Sequence, residues 1–328
     1  MPASPQRYLI TGGAGFIGSH LAEALLAAGH QVAALDDLST GRLANIAHLL
    51  AHPRFAFTQG SVLEPGPLES LIPEGGVVVH LAAAVGVKLV VERPVHALKT
   101  NVLGAERILE CAERRGVKRL LLASSSEVYG KGARIPFAED DDVLIGPTNR
   151  ARWGYAASKM LDEFLALAYF QERKLPVVVT RFFNTVGPRQ TGAYGMVVPR
   201  FVRSALRGEP IEVYGDGTQS RCFCDVRDVV RAVLGLAEHP QAPGQVFNIG
   251  SMEEISIRAL AEEIAKLAGS KSSVRLIPYS QAYAPGFEDM TRRVPDISRI
   301  GALLSWKPER NLAQILHDVI EYEKAAGV

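Results

Sequence analysis

Apolar and polar positions alternate on two scales along this chain. Short runs that are almost wholly apolar, YLIT (8–11), QVAALD (31–36), VVVHLA (77–82), RLLLAS (119–124) and VVVTRFF (177–183), punctuate the first half. Between them lie longer amphipathic stretches, among them one from about Phe16 to Ala28 and another from Lys99 to Arg115. Short continuous apolar runs suit strands buried on both faces, and the amphipathic stretches suit helices that cover them. The rhythm predicts an α/β fold, a doubly wound parallel sheet over residues 1–183. After Asn184 the pattern loosens into Gly- and Pro-containing loops, VGPRQTGAYG and VYGDGTQS, with amphipathic helices near Val197–Leu206, Ile257–Leu267 and Leu312–Lys324. These predict a smaller α/β part over 184–328, with roughly 222–250 returning to the first unit. No Gly/Ser-rich linker, low-complexity segment or repeat separates the two, so they are expected to pack closely.

Composition narrows the reading. With 328 residues, 47% apolar and 22% charged, the chain can build a sizeable core. A net charge of +1 without a basic block gives nucleic acid no electrostatic footprint. No window reaches the roughly 20 apolar residues of a membrane helix, and MPASPQRYLI runs directly into a strand pattern, so a cytoplasmic protein without membrane partners is expected. Cys111, Cys222 and Cys224 make neither a disulfide framework nor a four-ligand metal site, so no metal and no disulfide are predicted.

Chemistry enters at TGGAGFIGSH (Thr11–His20), between the first strand and the first helix. Gly13, Gly15 and Gly18 satisfy GxGxxG, and Gly12 adds an overlapping spacing. A tight turn, close backbone approach to a pyrophosphate and close helix packing all exclude a Cβ, while the helix N-terminus favours the anion. Asp36, ending the second strand in VAALDDLSTG, stands where a carboxylate would hold a ribose diol. Asp37 beside it, with Arg42 further on, disfavours a 2′-phosphate, so NAD is expected rather than NADP.

Two further stretches matter in company. LLASSSEVYG (Leu121–Gly130) ends another strand, where open α/β sheets bind ligands, so Ser124, Ser125 and Ser126 are candidate hydrogen-bonding groups as well as candidates for a local turn. YAASK sets Tyr155 and Lys159 at i, i+4 on one helix face. Alone, that spacing describes an ordinary amphipathic helix. A tyrosine that acts as a base near neutrality needs its pKa lowered by roughly three units, about 4 kcal/mol, which one nearby cation supplies.

TGGAGFIG, DDLSTG, HLAA, SSSEVYG, YAASK, RFFNTVGPRQ, VYGDGTQSRCF and RVPDISRIGALLSW together carry a resemblance over nearly the whole chain. It is to the extended short-chain dehydrogenases/reductases that epimerise, dehydrate or decarboxylate nucleotide sugars. The resemblance implies a Rossmann NAD-binding unit and a nucleotide-sugar-binding unit. It implies Tyr155 as catalytic base, Lys159 lowering its pKa and holding the nicotinamide ribose, and Ser125 hydrogen-bonding the sugar 4-hydroxyl. Cofactor contacts are implied for Gly12, Gly15, Phe16, Ile17, Gly18, Asp36, Leu81, Ala82, Ala83 and Asn101, besides Tyr155 and Lys159. Substrate contacts are implied for Ser125, Ser126, Asn184, Arg221 and Arg293, with Arg292 an alternative to Arg293 and Arg189 a weaker match. Ser61 in QGSVLE departs from the acid usual near the adenine.

The shared chemistry is oxidation at C4 of the sugar to a transient ketone. The dehydratases place an acidic pair after the hydroxyl residue, whereas this chain has Ser126 and then Glu127, which disfavours dehydration. Glu127, treated as a further catalytic residue, and GPTNRARWGYAASK resemble UDP-glucuronate decarboxylases; related UDP-sugar 4-epimerases share much of this surround and stand as the alternative. A non-catalytic nucleotide-binding relative would need neither Tyr155 nor Lys159. Uridine as the base and a homodimer through helices near Lys99–Arg115 and Gly154–Phe170 are likewise implied by resemblance.

Overall fold

The computed structural model describes residues 5–192, 196–282 and 290–328, and leaves aside the side chains of residues 65 and 87–89. Residues 1–4 of the opening segment and 193–195 of the loop foreseen after Asn184 lie outside the described residues. The strands are β1 (Arg7–Thr11), β2 (Gln31–Asp36), β3 (Phe55–Gln59), β4 (Val77–His80), β5 (Arg119–Ser125), β6 (Val177–Phe182), β7 (Thr185–Val186), β8 (Ile211–Tyr214), β9 (Ser220–Cys222), β10 (Cys224–Asp225), β11 (Gln245–Ile249), β12 (Glu254–Ser256) and β13 (Val274–Ile277). A seven-stranded sheet has the order β11-β6-β5-β4-β1-β2-β3, with every pairing parallel.

The helices are α1 (Phe16–Ala27), α2 (Pro65–Leu71), α3 (Val87–Glu92), α4 (Pro94–Arg114), α5 (Arg152–Arg173), α6 (Val197–Leu206), α7 (Val226–Glu238), α8 (Ile257–Leu267), α9 (Tyr279–Ala282), α10 (Ser298–Leu304) and α11 (Leu312–Ala325). Successive strand residues face opposite sides, so one strand feeds two cores. Tyr8 and Ile10 of β1 join Leu21 and Leu25 of α1 and Val229 and Val233 of α7. Leu9 joins Ile108 and Leu109 of α4 and Ala166 of α5 on the other face. The α4 helix begins five residues before the expected Lys99, because Pro94 pre-sets the first turn where no amide donor is needed.

The second part has its own core, with Phe201 and Val202 of α6, Leu260 and Ile264 of α8, and Ile315 and Leu316 of α11. The chain crosses back before completing it: α7 packs beside α1, and β11 pairs with β6 from Gln245↔Val178 to Ile249↔Phe182. Arg221 of β9, Leu81 just after β4, Ser125 of β5 and Phe182 of β6 line one long cleft. The three cysteines are buried and unpaired, and burial pushes the Cys222 thiol up to about 12. Among the described residues no helix is long and apolar enough to cross a membrane.

Candidate active site

One end of the cleft is shaped by glycine. Gly12 adopts φ +72°, and a Cβ on Gly18 would stand 2.2 Å from the Gly12 carbonyl oxygen. The turn therefore lies flat beneath the start of α1, whose N-cap, Gly15, supplies no side chain to satisfy the first amides. Gly12, Gly15, Phe16, Ile17 and Gly18 all line the cleft. Asp36 is buried at the tip of β2, accepting hydrogen bonds from Ala14 N at 3.0 Å and Leu38 N at 2.8 Å. Burial raises its pKa, and the backbone amides of Leu38 and Ala14 pull against that rise. Asp37 accepts from Ser39 N, and Arg42 reaches Thr191 Oγ1.

Leu81, Ala82 and Ala83 form the wall after β4, held by Thr11 Oγ1, which accepts from Ala82 N and meets His80 Nδ1 at 2.7 Å. His80 stays neutral, its pKa driven down to about 3 by burial and then by the Lys159 charge. Asn101 stands behind this wall. Its Oδ1 accepts from Ala84 N at 2.8 Å and its Nδ2 donates to Ser158 Oγ at 3.1 Å, which ties α4, the Ala84 loop and α5 together. Ser61 is turned to its own loop, accepting from Leu63 N, and Gly60 and Val62 make the wall there.

The other end gathers the reactive groups. Ser125 closes β5: its Oγ accepts from Glu127 N at 3.2 Å, the local turn foreseen for it, and it hydrogen-bonds the Tyr155 phenol. Ser124 donates instead to buried Glu163, which also pairs with Arg181. Glu127 meets Arg293 Nη2 at 2.6 Å and Arg152 Nη2 at 3.4 Å, and Arg221 adds to the field. Burial opposes its charge, but Arg293, Arg152 and Arg221 together hold its carboxyl below the ordinary range. Arg293 also donates to Ser126 Oγ at 3.4 Å. Arg292 pairs with Glu254 in an exposed position, so of the two arginines it is Arg293 that enters the cleft.

Gln219, Arg221 and Phe223 share one face of the β9 segment and line the cleft. Asn184 lines it as well, with its amide donating to the Cys222 carbonyl at 2.8 Å. Arg189 is spent on Glu23 of α1 at 2.6 Å, and Glu23 also takes His48.

Tyr155 and Lys159 both face the cleft from α5. The Lys159 ammonium, however, lies 3.1 Å from Asp162, with both side chains almost wholly buried. Burial holds the phenol above its ordinary value; Ser125 and Arg293 pull it down, and Glu127 and Asp162 push it up. The charge of Lys159 is thus shared with a carboxylate three residues on. Arg152 and Asp162 escaped the sequence reading, although each stands three residues from a member of the pair, on the same helix face.

A model of the NAD dependent epimerase/dehydratase family matches residues 8–250. The chain belongs to this family. The Gly12–Gly18 cradle, which a Cβ would fill, and the buried Asp36 carboxylate fit NAD, the cofactor of the family. The chain is 41% identical over 318 residues to the UDP-N-acetyl-alpha-D-glucosaminuronate decarboxylase of Bacillus cytotoxicus, covering 97% of each. It is 37% identical to UDP-glucuronic acid decarboxylase 1 of Danio rerio, across 97% of this chain and 72% of that one. Among solved structures, UDP-glucuronic acid 4-epimerase from Bacillus cereus, in complex with UDP-glucuronic acid and NAD, superposes with a TM-score of 0.88 at 28% identity, over 98% of this chain and 99% of that one.

Proposed function

We propose that this NAD-dependent enzyme decarboxylates a UDP-linked hexuronic acid, UDP-glucuronate or its 2-acetamido counterpart, through a transient 4-keto sugar. The observation that carries this reading is the cluster of Arg293, Arg152 and Arg221 around the Glu127 carboxylate. Guanidinium forks gathered at the reactive end of the cleft suit a substrate that brings a carboxylate of its own, besides the diphosphate. The 41% identity with a uronate decarboxylase supports the same reading.

Bound NAD supplies an acceptor for the C4 hydride and can return it. Tyr155, assisted through its Ser125 hydrogen bond, takes the proton of the sugar 4-hydroxyl. The C5 carboxylate is then β to a ketone. The C5–C6 bond breaks, its electron pair passes into the enolate, and carbon dioxide leaves. Tyr155, now protonated, donates a hydrogen bond to the enolate oxygen, and C5 takes a proton from water as the ketone re-forms. Glu127 is ionised and so acts by orienting Arg293 and Arg152 rather than as an acid. Arg221 and Asn184 are assigned to the nucleotide diphosphate and sugar, and Ser126 with Arg293 to the sugar.

The second reading is 4-epimerisation of the same class of sugar, favoured by the likeness to the Bacillus cereus epimerase. Proton NMR of the purified protein with NAD and each UDP-sugar separates the two. Release of carbon dioxide with a pentose or 4-keto-pentose signal carries the decarboxylase; a C4 epimer with every carbon retained overturns it. Two copies are proposed to pair through α4 and α5, whose outer faces expose Val95 and Leu98, and Leu161 and Phe164, at helical spacing, with Phe164 65% exposed.

A further inference from the structure

Tyr155, Lys159 and Asp162 follow one another at i, i+4 and i+7 along one face of α5. Tyr155 and Lys159 line the cleft, and Asp162 lies behind them, 1% exposed. Its Oδ2 takes the Lys159 ammonium at 3.1 Å, while its Oδ1 is buried without a hydrogen-bond partner. Such a carboxylate is expensive to keep unless its partner stays charged and in place. Surface solvation gives no reason for an acid here, and the neighbouring Glu163 is already committed to Arg181 and Ser124.

We propose that Asp162 is a positioning residue: it fixes where the Lys159 ammonium stands and limits how much of its charge reaches Tyr155. The lysine is thereby held extended along the helix, ready to meet the cofactor ribose, and the phenol keeps its proton until the rest of the site is assembled. The proposal rests on Tyr155 and Lys159 being the reacting pair and is independent of which sugar is transformed. The groups acting on this pair come from every packed element. Ser125 of β5, Glu127 and Arg293 act on the phenol, His80 at the end of β4 lies within the field of Lys159, and Glu163 stands next to Asp162 on α5. His80 is neutral, and Glu127 and Glu163 are each paired with arginine, so Asp162 is the carboxylate paired with the lysine itself.

The test needs no turnover. NAD-loaded protein without sugar is titrated by phenolate absorbance, with the Tyr155→Phe protein subtracted so that only Tyr155 is read. Seven helical residues span about 10 Å, and removing a charge at that distance moves the midpoint by about one unit or somewhat less. Asp162→Asn is expected to lower it by that amount, whereas Asp162→Glu, which keeps the charge, stays near the native value. Asp162→Ser, neutral and smaller, is expected to follow Asp162→Asn. An unchanged or raised midpoint in folded, NAD-loaded Asp162→Asn or Asp162→Ser protein would overturn the proposal. So would an equal shift in Asp162→Glu, which would mark a packing effect. Failure of all variants and of native protein to bind NAD would instead count against the cofactor site itself.

Discussion

Glu127→Gln keeps the shape of the side chain and removes one negative charge from the arginine cluster. The residue is 17% exposed, so water screens the change only in part. The 2.6 Å contact with Arg293 Nη2 becomes an ordinary hydrogen bond, and the 3.4 Å contact with Arg152 weakens further. Loss of charge assistance should destabilise the free protein by about 1–2 kcal/mol. Binding should respond in the opposite sense. A substrate carboxylate on the order of 6 Å away loses a repulsion of about 3 kcal/mol at an effective dielectric near 20. If solvent removes half of that, uronate binding tightens roughly tenfold. Catalysis suffers for the same reason. As the C5–C6 bond breaks, negative charge leaves the carboxylate for the ketone oxygen beside Tyr155, so a firmer grip on the ground state raises the barrier. Calorimetry in a Tyr155→Phe background, where nothing turns over, should show UDP-glucuronate binding about tenfold tighter and UDP-glucose changed by less than about threefold. With Tyr155 intact, kcat should fall by roughly tenfold or more. Equal shifts for both sugars, or an unchanged kcat with tighter binding, would refute the reasoning.

Tyr155→Phe should reduce turnover by about 10³-fold while NAD affinity stays within a few fold, read by single-turnover kinetics and equilibrium dialysis. Gly18→Ala places a methyl 2.2 Å from the Gly12 carbonyl oxygen and 2.9 Å from Gly13 Cα, so the cradle must open. NAD binding should weaken by about a hundredfold or more in a protein of native circular dichroism. Leu161→Glu with Phe164→Glu should convert a dimer to a monomer in sedimentation velocity; a native-size species at low micromolar concentration would remove α5 from the interface.

The sheet was legible because β1, β2, β4, β5 and β6 are buried on both faces and therefore read as unbroken apolar runs. β3 is partly exposed, with Ala56 at the surface, and its FAFTQ gives no such run. β11 was reached only as a span, since its partner β6 lies more than sixty residues earlier and nothing local encodes that pairing. At the site, residue types at fixed helical or loop spacing were legible, and their partners were not. Asn101 sits at the expected place on α4, but which way its amide turns depends on Ala84 and Ser158, contributed by other elements. Arg293 was preferred to Arg292 by resemblance alone; in the structure Arg292 is held by Glu254 while Arg293 lines the cleft, and neither partner is encoded locally.

The burial that keeps water from the reacting hydroxyls also works against the phenolate they require. A phenol acting near neutrality must come down about three units from its free value, roughly 4 kcal/mol, and burial here starts it higher still. Ser125 and Arg293 favour ionisation, and Glu127 and Asp162 oppose it. Each opposing carboxylate is itself held by a cation, Arg293 for Glu127 and Lys159 for Asp162, so neither ion pair can be altered without changing what the phenol feels. The base is therefore set by a net field in which two acids play the same sign. Glu127→Gln and Asp162→Asn should both lower the Tyr155 midpoint, although one lines the cleft and the other does not. Because they act through different cations, their shifts should add within about half a kcal/mol in the double variant. A shift confined to one of them would mean that a single pair, and not the assembled field, controls the proton.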